Sequence, residues 1–304
     1  MQRSTGNSGN SWVAQQRRAY FWGLAPAIAV LVLITLVPAI YLLITSLTPM
    51  SMVNPGSASD FSAPARNYID AFEDRRFLNS VWLQAQLSFF TVTAQVALGL
   101  GLALLLNTRS AVMRAIRTAF LIPMVLPPIV VALIWKVLYT PDISPLHRTL
   151  AYFGLPVTSL ITDSKTAMLA IAVADTWQWF PFTMLIILAA LQMVPEEPLE
   201  AAKIDAATPW QTFWFIVFPF IRPAIVVAAL FRLIDSIKAF PLIFVLTDGG
   251  PGSATQVTNY YAYIQAFSFS YWGYASAIAT LLVAGIFVLS VLVSRLDRRN
   301  QRDE

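Results

Sequence analysis

Arg232, Asp235 and Lys238 recur at three-residue spacing inside an otherwise apolar stretch, with Ser236 beside them. On a helix this spacing puts the three charges on one face. Ionisable side chains in such surroundings are costly and turn toward protein or water. They therefore mark either a self-neutralising ladder that holds helices together or the wall of a solute path. With two cations and one carboxylate, the face has a basic surplus that would admit an anionic solute as well as a neutral one. Asp175 and Gln178, with Trp177 and Trp179 near Pro181, form a second set. Indole faces stack on sugar rings while amides and carboxylates bind hydroxyls, but the same residues also suit anchoring at a membrane boundary. Gln84, Gln86, Thr91, Thr93 and Gln95 are uncharged and equally suited to joining helix to helix.

Covalent and metal chemistry find no support. The 304 residues contain no cysteine and one histidine, His147, in a short loop beside Arg148. Thiolate catalysis, disulfides and Cys-based metal sites are excluded, and a lone imidazole makes no metal site. No catalytic set of an intramembrane enzyme can be assembled. The run Asp248 to Gly252 lacks the Gly-Lys-Ser/Thr ending of a phosphate loop and reads as a tight turn.

The composition says where these residues must sit. The chain is 57% hydrophobic and 12% charged with a mean hydropathy of +0.64, which is the composition of a polytopic membrane protein. Its net charge of +4 comes from basic residues that flank apolar segments, so topology and not nucleic acid accounts for it. Six segments reach the length of about 20 apolar residues that a membrane span needs. They run over 21–47, 81–106, 115–139, 167–193, 219–246 and 274–293. Arg17 and Arg18, the cluster Arg109, Arg114 and Arg117, and Arg295, Arg298, Arg299 and Arg302 lie at alternate ends. The positive-inside bias puts those ends, and both termini, in the cytoplasm. Residues 1–20 read as a flexible cytoplasmic tail, 21–294 as the six-span domain and 295–304 as a second cytoplasmic tail.

One polar island interrupts the pattern on the cytoplasmic side, over 195–218. Pro195 and Pro198 break the preceding span, and Glu196, Glu197 and Glu200 lie near the positive end of a new helix running to Ala207. Thr208-Pro209-Trp210-Gln211 has the order of a capping box, so a second helix starts there. Ala206 is expected to keep ordinary helical dihedrals, since alanine in the left-handed region costs about 1 kcal/mol or more.

The stretch Glu200-Ala201-Ala202-Lys203-Ile204-Asp205-Ala206, followed after nine residues by Ile216-Val217-Phe218-Pro219, resembles the EAA coupling loop of binding-protein-dependent ABC importer permeases. Every spacing matches, with Ala206 where that family has Gly and Phe218 where it has Leu. Trp177 to Phe182, Ala189 to Glu197 and Leu246 to Pro251 extend the resemblance to the sugar-importing branch, similar to its maltose-type and glycerol-phosphate-type members.

The resemblance implies an all-α type I importer permease of the bacterial inner membrane. Glu200, Ala201, Ala202, Asp205 and Ala206 would then contact an ATPase subunit. It also implies a second, homologous permease, an ATPase dimer that holds the ATP and magnesium, and an extracytoplasmic solute-binding protein. Aligned on Leu246 to Pro251, the maltose-type permeases place sugar contacts at positions matching Arg232, Ser236 and Ala239. Ala239 offers no hydrogen bond from its side chain, so that pattern is not copied. An ion-coupled secondary transporter, with Asp175 and Asp235 as coupling carboxylates, is the alternative that the loop argues against.

Overall fold

The computed structural model describes residues 8–108, 110–154 and 159–300. Helix α1 (Ser8–Ser46) is followed by a short α2 (Arg66–Glu73) and by α3 (Arg75–Leu106). Three pieces come next, α4 (Ala111–Phe120), α5 (Ile122–Val125) and α6 (Pro128–Tyr139), then α7 (Pro145–Tyr152) and α8 (Ala167–Leu191). The polar island supplies α9 (Glu196–Ile204) and α10 (Pro209–Thr212), and α11 (Phe218–Ile237) and α12 (Pro241–Leu246) follow. The chain closes with α13 (Thr258–Tyr263) and α14 (Trp272–Asn300).

Five helices are long and apolar enough to cross a membrane, and a sixth crossing exists if the bent pair 111–125 and 128–139 counts as one. That pair corrects the expectation of a continuous third span, because its halves meet at 97°. The cause is Pro127-Pro128, which holds Leu126 and Pro127 extended at ψ 138° and 137°. The fifth span also breaks. Pro241 cannot continue α11, which ends at Ile237, so residues 238–240 form a non-helical joint before α12. Helix extends into both terminal segments, since α1 begins at Ser8 and α14 continues to Asn300. His147 lies within α7 and is buried, not in an open loop.

The centre of the bundle is α8, whose apolar window is 67% buried, against 28% for α3 and 11% for the segment containing α11. Close packing of α3 on α8 depends on Gly99. A side chain there would strike the Thr183 hydroxyl and come within 2.9 Å of the Met184 backbone nitrogen. Thr183 Oγ1 in turn donates to the Gln95 carbonyl at 2.7 Å, which fixes the register of the two helices. At the far end, Asn67 donates to the carbonyls of Ser46 and Thr48 at 2.9 and 2.8 Å and ties α2 to the end of α1.

A charge-balanced cavity and an exposed helix-turn-helix

The two polar sets of the sequence meet in one place. Asp175 on α8 lies 3.6 Å from Arg232 on α11, and both side chains are buried, at 6% and 1% exposure. Gln95 on α3 closes the triangle, donating to Asp175 Oδ2 and accepting from Arg232 Nε, each at 2.8 Å. Arg232 also donates to Asp235 at 3.2 Å and stacks over the Trp179 ring at 4.6 Å. A guanidinium has five donors in a rigid fork, which is why one side chain can hold two carboxylates, an amide and an indole together.

A cavity of about 190 Å³ adjoins this network, lined by Asp175, Gln178, Trp179, Arg232, Asp235 and Lys238 among others. Its wall holds two cations and two carboxylates, so the basic surplus expected from α11 alone disappears once Asp175 is counted. Gln178 is fully buried. Its amide nitrogen donates to the Leu126 carbonyl at 3.3 Å, and its Oε1 has no donor among the described residues. Lys238 caps α11, is exposed, and makes no ion pair within 4 Å among the described residues. Ser236 is a correction. It turns away from the cavity, donates to Ser88 Oγ at 2.8 Å, and belongs with Gln84 to a buried α3–α11 contact.

The helix-turn-helix is built as its residues dictate, with one exception. Thr208 accepts from the Gln211 N–H at 3.3 Å while Gln211 Oε1 accepts from the Thr208 N–H at 2.8 Å, a complete capping box. The exception is Ala206, at φ 53°. Helix α9 ends at Ile204, not Ala207, and Ala207 N–H reaches back to the Ala202 carbonyl at 2.9 Å while Ala206 N–H reaches Lys203 at 3.2 Å. That bond pair is a Schellman ending, which requires a left-handed residue at position 206. The expectation of helical dihedrals there was wrong because the bond pattern outweighs the penalty on one alanine. Ala202 packs inward, whereas Glu200, Ala201, Asp205 and Ala206 are exposed and Ile204 is 84% exposed.

Residues 95–302 match the family model described as the binding-protein-dependent transport system inner membrane component. The chain belongs to that family. Among curated relatives of this permease component, a probable ABC transporter permease protein y4oQ of Sinorhizobium fredii is 36% identical over 91% of this chain and 89% of its own length. The trehalose/maltose transport system permease MalF of Thermococcus litoralis is 32% identical over 77% and 79%. The trehalose transport system permease SugA of Mycobacterium tuberculosis is 31% identical over 92% and 89%. In structure, the permease aligns with a chain of a bacterial ABC transporter that imports the acidic polysaccharide alginate, at a TM-score of 0.81 and 20% identity, covering 95% and 99%. That likeness shows the fold. The family and the apolar helices together make the chain a multi-pass inner-membrane component.

Proposed function

We propose that this permease passes a neutral sugar or polyol, driven by a separate ATPase pair that grips α9, with a homologous permease as its companion and a solute-binding protein outside. Both termini and α9 face the cytoplasm in this reading. Nucleotide and magnesium belong to the ATPase subunits. The observation that carries the solute class is the cavity beside Arg232, whose wall holds two cations and two carboxylates and so has no net formal charge. An anionic solute would give that wall a net charge, whereas a hydroxyl supplies the donor that Gln178 Oε1 lacks. Arg232 itself is held by Gln95, Asp175 and Asp235 and positions the wall.

Helix α9 supports the coupling role through its exposed polar surface, with Glu200 and Ala201 open to a partner, between two spans. Because the chain has no native cysteine, Ala201→Cys gives a single reactive site. In the assembled transporter it is expected to cross-link to the ATPase subunit. The Glu200→Lys, Ala201→Trp double variant should keep the bundle folded while lowering uptake. No cross-link in a transporter that hydrolyses ATP, or full uptake by the double variant, would overturn the reading.

A further inference from the structure

Immediately after the Schellman turn, five aromatic residues crowd the start of the next span. Trp210, Phe213, Trp214 and Phe218 form a continuous ring ladder, with Trp210–Trp214 at 5.6 Å, Phe213–Trp214 at 5.2 Å and Trp214–Phe218 at 4.9 Å. A π-helical turn over Phe213–Val217 makes the ladder continuous. Its wider turn brings Phe218 against Phe213 as well, at 5.9 Å, where its N–H bonds to the Phe213 carbonyl. Phe213 and Phe218 are partly buried, whereas the two indoles and the adjacent Phe215 face away from the bundle. Trp210 is 69% exposed, Trp214 43% and the adjacent Phe215 78%.

The depth of the ladder follows from its neighbours. Val217 and Ile221 pack in one cluster with Leu106 and Leu191, the last residues of α3 and α8. The ladder therefore stands level with, and just beyond, the ends of two other spans. That is the layer in which lipid headgroups meet hydrocarbon, and the one in which indole, with an apolar body and one N–H donor, is best accommodated.

We infer that the ladder is a lipid-headgroup contact that fixes the height of α9 above the membrane. Only Asp205 to Pro209 separate α9 from the ladder, and the Schellman turn and the capping box make that joint rigid. A push on α9 is then transmitted along α11 toward Arg232 and does not sink the loop into the bilayer. The consequence for coupling rests on the proposed ATPase contact of α9, but the lipid contact does not.

The test uses the complete transporter in nanodiscs of phosphatidylethanolamine and phosphatidylglycerol, with p-benzoylphenylalanine at Trp214 or Phe215. Illumination should yield phospholipid adducts on this chain by mass spectrometry, with or without nucleotide. Adducts to the ATPase or the companion permease in place of lipid would overturn the inference. In the second arm, Trp210→Ala with Trp214→Ala is expected to lower solute moved per ATP hydrolysed at least about threefold, and Tyr at both positions to restore it. An unchanged ratio in the alanine variant, with lipid adducts present, would sink the height-fixing role alone.

Discussion

Removing charges one at a time from the Arg232 network should give unequal costs, and the order can be worked from the geometry. Arg232→Gln leaves Asp175, 6% exposed, with only the Gln95 amide at 2.8 Å. Breaking a buried pair in this way costs about 3–5 kcal/mol. Asp175→Asn leaves Arg232 its 3.2 Å contact with Asp235, so the loss should sit at the low end, about 3 kcal/mol. Asp235 is 48% exposed, and Asp235→Asn should cost about 1 kcal/mol or less. The double variant Asp175→Asn, Arg232→Gln removes both buried charges and should recover about 2 kcal/mol or more relative to the sum of the singles. Equilibrium unfolding of the assembled transporter in mixed micelles measures all four. Additive costs for Asp175 and Arg232, or a cost for Asp235→Asn equal to that of Arg232→Gln, would refute this account of what holds α3, α8 and α11 together.

Ala206→Gly should tighten the end of α9, because it removes a left-handed alanine worth about 1–2 kcal/mol of strain against about 0.4–1 kcal/mol of added chain entropy. Amide exchange at Ala207 should slow about two- to fivefold in the variant, and faster exchange would show that the turn is not Schellman-like. The Asp74 carboxyl, at the start of α3, is pushed up by burial. Bonds from the hydroxyls of Tyr261 and Tyr274 and the Arg76 N–H more than offset this, so it titrates below the usual carboxylate range. Its contribution is then complete above the unfolded value of about 4 and is lost as pH falls through the lower folded value. Tyr261→Phe should cost about 1 kcal/mol at pH 7, and the gap from the native chain should close below about pH 4. A gap that stays constant down to pH 3 would contradict this.

The spans, the capping box and the turn at Asp248 were legible because each depends on local chemistry, namely an apolar run, a Thr-Pro-x-Gln order and a Gly-Gly-Pro-Gly string. At that turn Asp248, Gly249 and Gly252 all take positive φ. What was not legible is long-range. Nothing in the spacing joins Asp175 to Arg232, or Gln95 to both. Helix α11 read alone therefore suggested a basic surplus that the assembled wall does not have. Ser236 was misassigned for a related reason, since three- and four-residue spacing gives neighbours on a helix but does not say which side faces the cavity. The break before Pro241 and the bend at Pro127-Pro128 did carry a local signal, which the length of the apolar runs masked.

The most direct measurement is uptake by proteoliposomes that hold this chain with its companion permease, ATPase pair and solute-binding protein. Internal ATP should drive accumulation of a radiolabelled neutral sugar over glucuronate, and Gln178→Leu should raise the half-saturating concentration without changing ATP hydrolysis. Preferential uptake of the anionic sugar, or accumulation driven by an ion gradient with no ATP present, would contradict a charge-balanced path worked by an ATPase through α9.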